Sequence, residues 1–400
     1  MLRRVKPLSR KILGGVAYAA FLAAFIEVAL QGYYYLTTGD LLFSEKSVGI
    51  WVPNEHSGIF NRPNMVFEHR TTEFAAWFYN NADGFRVPRP GVEYSRQKRG
   101  DAYRIMLLGP SFAYGWGVDY EDSIGAVLER DLEARGYAGG RDVEIIDAGV
   151  PSLPPGPHLR WYDRVGRAYK PDLVIQFIYG SMAIRRDPPV PLSVDERGYL
   201  AQEGATLEYR IRQQAKRAAT VFYAWVLWLQ LDRLLDPTPG ASPVLGAGRE
   251  MTSARAFDLA SPEVASALDF YRELERTIRR DGTDLVILYL PLSYVVHPED
   301  AARWRHLGVV DVPAQRSFDE KFAVYLNEIG IPAVNVTGPL QRAAEAGKRL
   351  YYWLDIHWTP EGNAVAAHAF AEYLASRPVH AESAAAPEPT SAATRKGGLH

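Results

Sequence analysis

The chain contains no cysteine, which excludes a thiol nucleophile, thiolate-held zinc and any disulfide framework. Cysteine usage therefore says nothing of the compartment, which has to be read from other residues. An excess of charge is also lacking: 45 lysines and arginines stand against 47 aspartates and glutamates, a net charge of −2. Without a basic stripe interleaved with aromatics there is no broad electrostatic pull toward a phosphate backbone, and nucleic-acid binding is not expected. Internal repeats are missing too, which argues against a solenoid or a propeller. What is there, 47% hydrophobic and 23% charged residues in a chain of 400, suffices to bury a sizeable core.

The first eleven residues hold Arg3, Arg4, Lys6, Arg10 and Lys11 with no acid among them. From Ile12 to Leu30 the chain is apolar except for Glu27, and Tyr33, Tyr34 and Tyr35 follow where an interfacial aromatic belt would lie. The pattern predicts a basic cytoplasmic segment over 1–11, a transmembrane anchor over 12–36, and the remainder on the far side of the membrane. A cleaved signal peptide is the rival reading. Its apolar stretch would be shorter, and no small-x-small cleavage site follows Leu30. Glu27 is the weak point, because a carboxylate at that depth costs about 2–4 kcal/mol. At the other end, 381–400 have almost no apolar bulk and predict a disordered tail.

Between the ends, short apolar runs alternate with helical stretches. Strands are predicted at Arg104–Leu108, Val143–Asp147, Asp172–Ile178, Asp284–Leu290 and Pro332–Val336, and helices at about 120–136, 157–169, 262–280 and 316–329, with a last one opening after Thr359-Pro360. That is an α/β fold, a five-stranded parallel sheet covered on both faces, over 101–380. Residues 37–100, rich in Asn, Pro, Phe and Arg with a turn signal at Asn80-Asn81-Ala82-Asp83-Gly84, read as a small β-containing lead-in packed on that domain. An insertion over 182–260 carries the aromatic apolar stretch Ala219–Leu231, too short to span a bilayer. Two readings of it stay open: a helix packed on the domain, or an interfacial helix or lid on the membrane.

Ligands of open parallel sheets bind beyond the carboxyl ends of the strands. Four segments are expected to meet there: Gly109-Pro110-Ser111 after the first strand, Asp147-Ala148-Gly149 after the second, Gly180-Ser181 after the third, and Asp355-Ile356-His357 before the last helix. A serine hydroxyl needs an imidazole to take its proton, and the imidazole needs an acid to fix its tautomer. Ser111, His357 and Asp355 can supply the three, given a non-helical bend between the last two. For the oxyanion, the backbone N–H groups of Ser111 and Gly149 are candidate donors and the Ser181 hydroxyl a third. Asp355 with His357 has the alternative reading of half a metal site, but no second cluster with ligand spacing appears, so no metal and no cofactor is expected. His297 is read as a surface loop histidine or a rim residue. Arg86, Arg185 and Arg186 are read as solvated cations or as contacts for an anionic or sugar substrate. Asn335-Val336-Thr337 fits a glycosylation sequon or a strand end.

Gly109-Pro110-Ser111-Phe112, Asp147-Ala148-Gly149-Val150-Pro151, Pro171-Asp172-Leu173 through Gly180-Ser181-Met182, and Asp355-Ile356-His357-Trp358 together resemble the blocks of the GDSL, or SGNH, hydrolase family. The Asn80-Asn81 and Gly84-Phe85-Arg86 segment resembles the lead-in of its membrane-anchored bacterial members. The resemblance implies a flavodoxin-like three-layer α/β/α sandwich, ester or acyl-group chemistry without a metal, Ser111 as nucleophile, Asp355 and His357 completing the triad, and Gly149 as an oxyanion donor. It departs from the family at Pro110, where the family has aspartate, and at Ser181, where it has its oxyanion asparagine. The expectation is a serine ester hydrolase of the bacterial inner membrane, its catalytic domain periplasmic or extracellular, acting on acyl esters that include carbohydrate-linked ones. The alternatives are an O-acyltransferase or deacetylase of a cell-envelope polysaccharide, and an inactive scaffold that binds glycan or protein.

Overall fold

A computed structural model of the chain describes residues 5–42, 49–188, 192–201, 207, 211, 214–235, 260–304 and 311–377. The predicted tail over 381–400, Arg3 and Arg4 lie outside the described residues. The strands are β1 (Trp51–Asn54), β2 (Gly58–Asn61), β3 (Val66–Arg70), β4 (Ala75–Asn80), β5 (Arg86–Val87), β6 (Tyr103–Leu108), β7 (Val143–Asp147), β8 (Leu173–Tyr179), β9 (Ser193–Val194), β10 (Leu200–Ala201), β11 (Asp284–Leu290) and β12 (Ala333–Asn335). The helices that matter are α1 (Val5–Thr38), α2 (Ile124–Ala134), α3 (Pro155–Arg164), α4 (Ala219–Leu235), α5 (Pro262–Arg279), α6 (Val312–Glu328), α7 (Thr337–Glu345) and α8 (Pro360–Ala375).

All five predicted strands form, and they pair in parallel in the order β12-β11-β8-β6-β7. Counted along the chain this is the order 2-1-3-4-5 read from the other edge, the flavodoxin-like arrangement with its switch point between β6 and β8. Side chains alternate across the sheet. Met106, Leu108, Ile146 and Val174 face the layer of α3, α5 and α6, whereas Ile105, Leu107, Ile145 and Ile175 face α2, α7 and α8. Burial on both faces is why these strands read as continuous apolar runs.

Helix starts follow local chemistry. Ser123, Ser261, Asp311 and Thr359 each accept a first-turn backbone N–H with their side chains, at the heads of α2, α5, α6 and α8. This satisfies donors that have no partner within the helix. Because Asp311 is the cap, α6 opens four residues before its expected start. α7 was not foreseen. Asn335 ends β12 just ahead of that helix: its side-chain Oδ1 accepts the Thr337 N–H at 2.8 Å and its side-chain Nδ2 donates to the Asp319 carbonyl. The sequon is thus a strand end tied into the fold.

The lead-in does more than pack against the domain. β5 pairs antiparallel with β7 through Arg86 and Asp147, and β4 and β3 continue outward, so the sheet has eight strands. Five of them are the parallel core expected from the sequence. From Lys11 to Thr38, α1 is long and apolar enough to cross a membrane, and its surface is exposed over most of its length.

Candidate active site

β6 delivers the nucleophile candidate to the switch point. At Gly109 a Cβ would stand 2.5 Å from the Cβ of Phe177 on β8, so only glycine lets the chain leave the sheet there. The Pro110 carbonyl then accepts the N–H groups of Ala113 and Tyr114, and the Ser111 carbonyl accepts that of Trp116. Ser111 thus stands at the head of a tight turn, half-buried, with its own N–H making no hydrogen bond among the described residues. The proline's missing N–H costs nothing here, because the turn uses its carbonyl.

His357 reaches Ser111 from the other end of the chain, with Nε2 2.5 Å from the serine Oγ. On the far side of the ring, Nδ1 bonds the Asp355 carboxylate, whose Oδ1 also accepts the His357 backbone N–H at 3.0 Å. The bend is non-helical, as the two-residue spacing requires, and is closed by the bridge between Tyr351 and Trp358. Nδ1–H toward aspartate leaves Nε2 as the acceptor of the serine proton. Burial works to raise the Asp355 carboxyl, but the His357 ring, the two bonds it makes and His69 outweigh it and hold the group below the usual carboxylate range. Phe112 and Trp116 flank the imidazole, their ring centroids 5.0 and 6.3 Å from its own.

Two residues that the sequence reading missed hold the aspartate loop. Glu73, between β3 and β4, accepts the backbone N–H groups of Trp353, Leu354 and Asp355 at 2.7–2.8 Å. Arg303 donates through Nε to the Leu354 carbonyl at 2.9 Å. No local signal marks Glu73, a plain acid in the segment Thr71-Thr72-Glu73.

The lead-in also holds the serine loop, and this corrects the reading of Arg86. Far from being solvated or facing a ligand, Arg86 is fully buried. It donates to the carbonyls of Tyr114, Gly115 and Val118 at 2.6 Å and lies over the Phe78 ring. Asn80 accepts the Tyr114 hydroxyl proton, and Asn61 donates to the Gly149 carbonyl. His297 is no surface histidine: it is buried, and its Nε2 accepts the Leu350 N–H at 3.2 Å. Arg186 is exposed and pairs with Glu273, and half-buried Arg185 lies in the turn after β8 near Tyr179.

The expected oxyanion donors fare differently. The Gly149 N–H donates to Asp147 Oδ1 at 2.9 Å, since a buried carboxylate draws the nearest donor. What Gly149 contributes instead is closeness, for a Cβ there would lie 2.5 Å from the Tyr114 nitrogen. Burial raises the Asp147 carboxyl to about 7 against the opposing pull of that N–H and of Arg86. Ser181 lies in the single 3-10 turn Gly180–Ile184 that follows β8, and its side chain is outside the described residues. Serine, imidazole and carboxylate in this relay can activate a hydroxyl for attack on an acyl carbonyl.

The family described as ALGX, SGNH hydrolase-like domain, acetyltransferase AlgX, matches residues 250–400, a span that includes Asp355 and His357 and stops short of Ser111. A curated relative from Pseudomonas fluorescens, named probable alginate O-acetylase AlgJ, is 30% identical over 156 residues, 38% of this chain and 38% of that protein. One of the same name from Azotobacter vinelandii is 27% identical over 144 residues, 35% and 36% of the two chains. The chain thus spans well under half the length of the curated relatives it matches. A solved lipolytic protein of the G-D-S-L family from Desulfitobacterium hafniense DCB-2 shares 12% identity at a TM-score of 0.36, covering 68% of this chain and 98% of its own. That likeness is too distant to carry an argument. The hydrolysis of simple esters expected from the motifs gains no support from the curated relatives, whose names denote acetyl transfer. Over residues 250–400 the chain is thus similar to the SGNH hydrolase-like domain of that family.

Proposed function

We propose that this protein is an O-acetyltransferase of a polysaccharide, working through an acyl-enzyme on Ser111 and tethered to a membrane by α1. The observation that carries the reading is the unbroken relay from Asp355 through His357 to Ser111, on a chain whose relatives are named as alginate O-acetylases. In the first half-reaction Ser111 Oγ attacks the acyl carbonyl while His357 Nε2 takes its proton. The oxyanion turns toward the Ser111 N–H, and the leaving group departs with the proton from the imidazole. In the second half, His357 takes a proton from a sugar hydroxyl, whose oxygen attacks the acyl-serine carbonyl, and the proton returns to Ser111 Oγ as the ester forms. Asp355 stabilises the imidazolium formed in each half. Hydrolysis differs only in that water replaces the sugar hydroxyl, so an acceptor seated over His357 is what favours transfer.

The test is to give the full chain p-nitrophenyl acetate with and without a uronic-acid oligosaccharide and to analyse the sugar by mass spectrometry. Acetylated oligosaccharide that disappears with Ser111→Ala supports transfer. Release of acetate unchanged by any acceptor would make the protein a hydrolase instead.

A further inference from the structure

From Val221 to Leu229 α4 is apolar on every side, with Gln230, Asp232 and Arg233 following only in its last turns. Along it, Val221, Ala224, Leu227, Trp228, Leu231 and Leu234 recur at helical spacing and are all exposed, Leu227 by 55% and Leu234 by 76%. The opposite side is occupied. Phe222 packs edge-on against Tyr34 and Tyr223 at a tilt against Tyr33 of α1, Leu229 is buried, and the Arg303 guanidinium lies 4.9 Å from the Trp225 ring centroid. A helix with no polar face is stable against water only if something apolar covers it, and a stripe of this length exceeds the scattered apolar residues of an ordinary surface.

The head of α4 shows what covers it. Glu27, the acid in the apolar stretch of α1, accepts the backbone N–H groups of Ala219 and Thr220 and the Thr220 hydroxyl at 2.7–2.9 Å. Gln31, one turn on, donates to Glu27 and to the Arg217 carbonyl. An anion at a helix N-terminus satisfies donors that otherwise have no partner. Glu27 is thus the N-terminal cap of another helix, and it ties α4 to α1 within the segment that is long and apolar enough to span a bilayer. The exposed stripe of α4 thus belongs to a helix held against α1, whose own apolar residues Phe21, Phe25 and Val28 are exposed as well.

We infer that α4 is a second membrane-seated helix, its Val221-to-Leu234 stripe lying against acyl chains beside α1. Its inner side meets Arg303, which bonds the carbonyl of Leu354, the residue before Asp355. Seating α4 therefore fixes the candidate site close to the bilayer surface, where a tether made of α1 alone would let it swing.

The inference rests on α1 spanning the bilayer, and the experiment separates the two. Because the chain has no cysteine, single cysteines can be labelled cleanly. Leu231→Cys and Leu234→Cys on α4, Phe21→Cys on α1 and Glu133→Cys at an exposed position of α2 are made in the full chain, labelled with an environment-sensitive fluorophore and reconstituted into phosphatidylcholine–phosphatidylglycerol vesicles. Quenching by doxyl lipid and by aqueous iodide is then compared. Strong doxyl and weak iodide quenching at 231, 234 and 21, with the reverse at 133, is the expected result. Doxyl quenching at 21 with iodide quenching at 231 and 234 overturns the seating of α4 and keeps the anchor. Protection at 231 and 234 from both quenchers also overturns it, since a protein surface would then cover the stripe. Iodide quenching at all four positions removes anchor and inference together.

Discussion

The Glu73 carboxylate accepts the backbone N–H of Asp355 at 2.8 Å across 282 positions of sequence. A hairpin loop of the lead-in therefore sets where the aspartate of the relay begins, and through it where the imidazole points. Glu73→Gln replaces one carboxylate oxygen with an NH₂ that faces backbone donors. Turnover is expected to fall ~10- to 100-fold, the order that a small misplacement of a catalytic group costs, with KM little changed and the melting temperature near that of the wild type. Glu73→Asp should recover part of the loss. A fall in KM-normalised rate that tracks lost folded protein would make Glu73 a stability residue only.

Asp355→Asn keeps the shape of the bend and removes the charge that fixes the imidazole tautomer. Acetyl transfer should drop by on the order of 10⁴, as when other Ser-His-Asp sites lose the carboxylate. Steady-state rates at several pH values check this, and wild-type activity in the variant would place the acid elsewhere.

Arg86→Met strips three carbonyls of a buried charged donor. Leaving buried acceptors without partners should cost about 3–5 kcal/mol of stability, read as a lower urea midpoint at unchanged slope. An unaltered midpoint would mean that the serine loop holds itself.

Asp319 lies in the core between β11 and α6. Its Oδ1 accepts from Tyr289 and Gln315 at 2.6 Å and its Oδ2 has no hydrogen-bond partner among the described residues. Burial raises this carboxyl from 3.8 to about 7. Between those values the folded chain keeps a proton that the unfolded chain has lost, so its contribution to stability is complete below about pH 4 and is lost as pH rises through about 7. Asp319→Asn should flatten that part of the stability–pH curve, measured as melting temperature from pH 4 to 8. Curves of equal slope for the two proteins would show that Asp319 ionises normally.

The parallel strands were legible because two-sided burial writes itself as an apolar run, and the candidate triad because glycine, serine and Asp-x-His sit at predicted strand ends. What could not be read depends on long-range contacts. Arg86 looked like a surface cation, since nothing local says that three carbonyls of the serine loop will close around it. Glu73 and His297 were opaque for the same reason. The Gly149 N–H was assigned to the oxyanion because the position suggested it, but the carboxylate two residues earlier takes it first. Glu27, a flaw in the anchor when α1 is considered alone, makes sense only once the head of α4 is placed on it.

The relay from Asp355 to Ser111 is tested most directly by trapping the acyl-enzyme. The full chain is mixed with p-nitrophenyl acetate, quenched in acid within the first turnover and digested, and its peptides are sequenced by mass spectrometry. An acetyl group on Ser111, formed at the rate of the nitrophenol burst and absent from His357→Ala, is the predicted result. Acetyl groups on another residue, or a burst that persists in Ser111→Ala, would contradict it.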